Sequence, residues 1–272
     1  MTAQGNGLLA GKVVLVVGAS RGIGAGIAAA MADAGARVVL AARDQAALAQ
    51  RVQEITGRGG QAVTLPVDVL EEDSVKALLA EVRRRSGRLD AAVNNAAGGG
   101  RPPARLADWS SAEFDSAVAV DLRGVFLCLK YELELMLDGG NGGAIVNMSS
   151  TAGEQGVSGL SGYVASKYGV GGLTRVAALD YAGAGIRVNA IAPGPILTDR
   201  LAAAGAGAQK MAAAAVPLAR LGQVQDVAAA AVWLCSEQSS FVTGTVMPVD
   251  GGRLAGVPAF AIKPDQRASN RA

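Results

Sequence analysis

Within SGYVASKYGVGGL, residues 161 to 173, Tyr163 and Lys167 stand four positions apart among glycine, alanine and serine. On a helix that spacing sets the two side chains next to each other. A phenol with a pKa of about 10 is a sluggish acid at neutral pH, and an adjacent ammonium favours its ionised form. The pair is therefore suited to passing one proton to or from a reacting oxygen. The same spacing also describes an ordinary surface contact, so its meaning rests on what the remainder of the chain brings to it.

A second stretch with chemical potential is GASRGIG (Gly18, Ala19, Ser20, Arg21, Gly22, Ile23, Gly24), directly after the apolar run VVLVV. Small residues let the backbone approach a pyrophosphate, and the N-terminus of a following helix offers unpaired amides and a partial positive charge. The second apolar run ends in Ala42-Arg43. At that place a Rossmann protein preferring NAD keeps an acidic residue for the ribose 2′-hydroxyl, whereas an arginine accommodates a 2′-phosphate. Arg21 adds a second guanidinium, and two such groups converging on one phosphate make charge-assisted contacts. NADP(H) is the expected cofactor, with NAD(H) as the alternative.

These residues need elements to position them. VVLVV is a continuous β-branched run, as expected of a strand covered on both faces in a parallel sheet. Similar runs recur at 37 to 42, 62 to 67, 89 to 95, 143 to 149, 186 to 192 and 245 to 250, which makes seven candidate strands. Helical-length segments such as IAAAMADAGA, DQAALAQRVQEITG and EDSVKALLAEVRRRSG lie between them, several closing on glycine. The alternation predicts one α/β domain over residues 1–272: a Rossmann-type, doubly wound three-layer α/β/α sandwich on a seven-stranded parallel sheet. The basic cluster at 83 to 88 reads as the solvated end of a helix. The Ala/Gly stretch 199–216 reads as a mobile, poorly patterned substrate-loop insert, and 253–272 as a frayed C-terminal tail.

Composition narrows the function. The chain has 272 residues, half of them hydrophobic, with 25 basic and 23 acidic side chains. A net charge of +2 and only 4% aromatics argue against a nucleic-acid or membrane-surface partner. With no histidine, Ser-His-Asp catalysis and histidine-ligated zinc are excluded. Cys128 and Cys235 sit in the apolar runs FLCLK and VWLCS and read as core thiols of a reducing compartment. The start MTAQGNGLLAGK lacks a secretory pattern and no apolar run is long enough to span a bilayer, so a soluble, cytoplasmic protein is expected.

Taken together, the spaced motifs resemble those of the short-chain dehydrogenase/reductase family over residues 8 to 252. GASRGIG is similar to that family's cofactor glycine motif, with Val17 in place of the usual threonine before it. Asp68-Val69 resembles the pair that contacts adenine. Asn94-Asn95-Ala96-Ala97-Gly98 resembles the NNAG signature with one extra alanine. Ser150 falls at the catalytic serine position, thirteen residues before Tyr163, and Tyr163 to Lys167 is the YxxxK pair. The segment Pro193-Gly194-Pro195-Ile196-Leu197-Thr198 resembles the one that holds the nicotinamide carboxamide, and Val249 to Gly252 resembles the VDGG that ends the last strand.

The resemblance implies a ketone–alcohol oxidoreductase. The carbonyl carbon receives a hydride from the nicotinamide while Tyr163 protonates the oxygen, Ser150 hydrogen-bonds that oxygen, and Lys167 binds the nicotinamide ribose as well as tuning the phenol. It also implies a homotetramer. One departure stands out: Asp121 occupies the place of an asparagine that anchors a water in the family's proton relay. Either the aspartate still accepts the hydrogen bond and little changes, or an ionised Asp121 offsets part of the lysine's charge and moves oxidation to higher pH. The open alternatives are an enoyl-thioester reductase and a non-catalytic NADP-binding regulator. A small ketone, a secondary alcohol or a β-ketoacyl thioester are all compatible substrates.

Overall fold

A strand whose every side chain is apolar must be covered on both sides, and all five residues of β1 (Val13–Val17) are buried. The structure, a computed structural model, describes residues 7–98 and 102–256. Among the described residues six further strands follow: β2 (Arg37–Ala42), β3 (Gln61–Pro66), β4 (Ala91–Asn94), β5 (Gly143–Met148), β6 (Ile186–Pro193) and β7 (Val246–Val249). They form one seven-stranded sheet in the order β3-β2-β1-β4-β5-β6-β7, with every pair parallel. The chain winds outward from β1 through β2 to β3, then returns to lay β4 against the other side of β1. That reversal opens a crevice beyond the carboxyl ends of β1 and β4, where such sheets bind ligands.

Helices cover both faces. On one face α1 (Gly22–Asp33), α2 (Gln45–Thr56) and α9 (Val224–Cys235) pack Ile27, Met31, Leu48, Ile55, Val227 and Leu234 against Val14, Val16, Val38 and Leu40. On the other face α3 (Glu72–Ser86), α5 (Gly124–Gly139) and α6 (Ser161–Tyr181) pack against Leu15, Val17, Val39, Ala92 and Ile145. Successive strand residues thus serve opposite layers, as the period of two requires. Each fully buried valine, leucine or isoleucine contributes about 1.5–3 kcal/mol. This is the doubly wound three-layer architecture expected from the sequence.

Local signals fall where chemistry needs them. Helix α3 carries Glu72 and Asp73 in its first turn and Arg83, Arg84 and Arg85 in its last, matching the helix dipole, and ends on Gly87 at φ +69°. The basic cluster is indeed a solvated helix end: Arg83 pairs with Asp138, and Arg84 and Arg85 both pair with Glu81. Cys128 and Cys235 are buried free thiols, their pKa values raised by burial, that of Cys235 to about 12.

The segment 199–216 departs from expectation. Instead of an irregular insert it forms α7 (Asp199–Ala203) and α8 (Gly205–Ala214), following α4 (Ser111–Val118), α5 and α6 in chain order. Alanine is the strongest intrinsic helix former, and that propensity operates without an amphipathic stripe. No residue of α8 is buried, so the sequence carries no apolar period there to reveal the helix. Residues 257–272, most of the expected tail, lie outside the described residues.

Candidate active site

The glycine turn leaves the end of β1 with Gly18 at φ +81°, its amide donating to the Ala41 carbonyl at 2.7 Å. A Cβ on Gly18 would lie 2.6 Å from the Ala96 nitrogen, and one on Gly24 would lie 2.1 Å from the Gly18 oxygen and 2.5 Å from Asn95 Nδ2. Only glycine fits at these two places. The Asn95 amide also donates to the Gly18 carbonyl at 3.0 Å, which ties the end of β4 to the turn.

Helix α1 then begins after Arg21 with no acidic residue in its first turn and, among the described residues, no side-chain cap. Its leading amides and dipole are therefore available to an anion. Thr198 meets this turn from the far side of the crevice: its Cγ2 would lie 3.6 Å from a Cβ on Gly22. The segment beginning at Pro193 is thereby folded over the glycine turn. Ile196 within it is buried and bridged to Gly222. Ser20 and Ile23 are half-buried on the turn itself. These features fit a dinucleotide: close backbone approach, unpaired amides and a covering segment opposite.

At the end of β2, Arg43 is largely exposed, and its Nη1 lies 3.9 Å from Asp68 Oδ2 beyond β3. Asp68 is itself oriented by its backbone amide, which donates to Ser74 Oγ at 3.0 Å, while its Oδ1 accepts from the Leu70 amide at 3.1 Å. Val69 is buried against Gly124, the first residue of α5. The two guanidiniums of the sequence reading both remain at the surface, Arg43 leaning on Asp68 and Arg21 exposed at the helix start.

The second cluster gathers beyond β5. Ser150 follows this strand, and its Oγ accepts from the Ala152 amide at 3.1 Å, a bond that leaves the hydroxyl hydrogen free to donate. Tyr163 and Lys167 come from α6, with Lys167 Nζ 5.5 Å from the centre of the Tyr163 ring. Lys167 is only 2% exposed. Its ammonium donates to the Met148 carbonyl at 3.0 Å and lies 3.6 Å from Asp121 Oδ1.

Asp121 sits in a π-helical turn (Ala119–Arg123), equally buried, and accepts from the Gly98 amide at 3.2 Å. Burial raises its pKa, against the opposing pull of the Lys167 charge and the Gly98 amide. A buried ammonium is costly unless paired, and here a hydrogen bond to one carbonyl and a carboxyl 3.6 Å away offset that cost.

Close approach accounts for part of the small-residue composition of α6 and of the turn after β5. A Cβ on Gly153 would meet Ser149 Oγ at 2.6 Å and the Lys167 oxygen at 2.7 Å, and one on Gly162 would meet Ala117 and Trp109 at 2.9 Å. The helix and the turn after β5 approach too closely for larger side chains. Sequence reasoning did not find the Met148 carbonyl or the Gly98 amide, because main-chain groups leave no mark in a residue pattern. It also missed Glu132, whose only trace is a carboxylate inside the apolar run YELELML.

A doubly wound parallel sheet with this turn, and a phenol beside a buried ammonium, define a class: α/β oxidoreductases that work with a dinucleotide. A family model described as Enoyl-(Acyl carrier protein) reductase matches residues 18–253. The A-factor type gamma-butyrolactone 1′-reductase (1S-forming) of Streptomyces virginiae is 43% identical over 251 residues, covering 90% of this chain and 96% of that protein. The 3-oxoacyl-[acyl-carrier-protein] reductase FabG of Staphylococcus aureus is 38% identical, covering 89% and 97% respectively. Among solved structures, a putative gluconate dehydrogenase from Agrobacterium tumefaciens superposes with a TM-score of 0.87 at 32% identity, over 92% of this chain and 98% of that one. The chain belongs to the short-chain dehydrogenase/reductase family and is an oxidoreductase of that family.

Proposed function

We propose that this protein interconverts a ketone and a secondary alcohol with NADP(H), using Ser150, Tyr163 and Lys167. The observation that carries the reading is the burial of the Lys167 ammonium beside the Tyr163 ring, held by the Met148 carbonyl and Asp121. A lysine anchored in this way presents a fixed positive charge to the phenol, and a protein that only senses a nucleotide has no need of it.

When bound, the nicotinamide supplies or accepts the hydride. Tyr163 gives its proton to the carbonyl oxygen during reduction and removes the alcohol proton in the reverse direction. Ser150, whose Oγ is already oriented by the Ala152 amide, donates to the same oxygen as negative charge develops there. Lys167 sets its ammonium beside the Tyr163 ring and would bind the nicotinamide ribose hydroxyls. Gly18, Gly22 and Gly24 with the start of α1 would hold the pyrophosphate, Asp68 and Val69 would flank the adenine, and Asn95 and Ala96 line the crevice floor. Pro193, Ile196 and Thr198 would hold the carboxamide.

Arg43 and Arg21 favour NADP(H) over NAD(H) by meeting the 2′-phosphate. Asp68 competes for Arg43 at 3.9 Å, so the preference is a graded one. Helices α7 and α8 act as the substrate cover, with Arg200, Gln209 and Lys210 among its polar side chains. The relatives named as reductases of a butyrolactone and of a 3-oxoacyl thioester both support a carbonyl substrate. A cytoplasmic homotetramer is the accompanying proposal; the exposed Val176 and Leu179 of α6 and Phe126 of α5 support self-association.

The test is consumption of NADPH, and separately NADH, over ketones, β-ketoacyl thioesters and an enoyl thioester, with wild type and Tyr163→Phe. Ketone turnover that falls by about 10²–10⁴ in the variant supports the reading. Reduction of the enoyl thioester alone, or no turnover of any substrate by wild type, overturns it.

A further inference from the structure

Glu132 lies on α5 at 0% exposure, in the apolar layer between that helix and the sheet. Its Oε2 accepts from Asn94 Nδ2 at 2.9 Å, and the same Asn94 nitrogen donates to Asn147 Oδ1 at 3.0 Å. Asn147 Nδ2 donates to Thr174 Oγ1 at 3.0 Å, and the Thr174 hydroxyl donates to the Val170 carbonyl at 2.8 Å within α6. Because a hydroxyl has a single proton, its bond to Val170 fixes the direction of the whole chain back to Asn94. Both amide hydrogens of Asn94 are thus used on Glu132 and Asn147.

Among the described residues, two acceptor oxygens in this network have no hydrogen-bond partner: Asn94 Oδ1 and Glu132 Oε1. They belong to the two groups already joined by the Asn94-to-Glu132 bond. A primary amide and a carboxylic acid form a closed ring when the amide N–H meets one acid oxygen and the acid O–H meets the amide oxygen. One proton on Glu132 Oε1 would supply the missing donor for Asn94 Oδ1 and satisfy both atoms together. We propose that Glu132 is a neutral carboxylic acid closing a cyclic acid–amide pair with Asn94, and that in this form it is a positioning residue for the ends of β4 and β5.

The surroundings support the neutral form. From α5 the neighbour one turn earlier is the Cys128 thiol, from β4 Asn94, from β5 Asn147 and from α6 Thr174. The charged groups where α3 meets α5 are engaged at the surface, Glu72 with Lys130 and Arg123, and Arg83 with Asp138. The buried ammonium of α6, Lys167, is held by Met148 and Asp121. Burial is accordingly the main influence on Glu132 and raises its pKa to about 7, the Asn94 hydrogen bond opposing it.

The pair has a place in the site's construction. Asn94 precedes Asn95, which ties down Gly18, and Asn147 lies three residues before Ser150. The network therefore joins the strand ends beneath the glycine turn to α6, which carries Tyr163 and Lys167. The proposal does not depend on the reaction assigned above, since its test reads stability.

Raising a carboxyl's pKa on folding makes stability greatest below the unfolded value and removes it as pH rises through the folded value. For Glu132 that window runs from 4.5 to about 7. Glu132→Gln imitates the acid, since its Nε2 can donate to Asn94 Oδ1 while its Oε1 accepts from Asn94 Nδ2. Thermal unfolding of wild type and Glu132→Gln should give similar midpoints near about pH 5, and a variant more stable by roughly 5 °C near about pH 8.5. Infrared difference spectra between the two at about pH 6 should show a protonated-carboxyl carbonyl band in wild type alone. A constant offset at every pH, a variant that is less stable throughout or does not fold, or no such band would overturn the proposal.

Discussion

The Lys167 ammonium stands 3.6 Å from Asp121 Oδ1, with both side chains almost wholly removed from water. A carboxyl at this place bears on the phenol through the lysine, since a counter-charge lowers the field that Lys167 presents to Tyr163. The outcome depends on whether Asp121 is ionised, and its raised pKa means that it gains a proton at higher pH than a free aspartate.

Asp121→Asn leaves Lys167 unopposed at every pH. The alcohol-oxidation limb of the pH–rate profile should therefore move to lower pH, while the shape of the carbonyl-reduction profile changes less. Profiles that superimpose would show that the carboxyl is electrostatically silent. Asp121→Ala removes the partner and its hydrogen bond from Gly98, and should destabilise the fold by about 3–5 kcal/mol, read from denaturant midpoints.

In the proposed reaction, Ser150→Ala would remove one donor to the developing oxyanion. It should lower kcat by about 10²–10³ with little change in cofactor binding, measured by steady-state kinetics beside fluorescence titration of NADPH. An equal loss in cofactor affinity would assign the serine a structural role instead.

Gly24→Ala places a methyl 2.1 Å from the Gly18 carbonyl, a backbone atom that cannot swing aside. Cofactor affinity should fall by at least about tenfold because the turn must open to admit it. Gly172→Ala, where a Cβ meets nothing within 4 Å among the described residues, is the matched control and should leave binding unchanged.

Arg43→Ala should raise KM for NADPH by about ten- to a hundredfold and leave KM for NADH nearly unchanged, as loss of a charge-assisted contact to one phosphate predicts. Asp68→Asn releases Arg43 from its 3.9 Å partner and should strengthen the NADPH preference. Equal effects on both cofactors would remove Arg43 from that role.

Much of the sheet is legible in the residues. VVLVV and RVVLAA show no alternation because helices cover both of their faces, and all seven runs of this kind became strands. The ends were less legible. LDAAVNN spans 89 to 95, while β4 covers only Ala91–Asn94, and the Asn95 side chain bonds the Gly18 carbonyl just beyond it. Helices α7 and α8 were hidden because alanine propensity alone, without a buried face, produces no period to read.

By itself, the order of residues determined the alternating strands and helices, the glycine turn after β1 and the helical spacing of Tyr163 and Lys167, because these depend on neighbours within a turn or two of the chain. Only the tertiary structure decided that Lys167 is buried against the Met148 carbonyl and Asp121, that Arg43 leans on Asp68, and that Glu132 meets Asn94 across 38 residues. The partners of a polar group removed from water come from whichever segments packing brings together, and often from their main chain, where residue type leaves no trace.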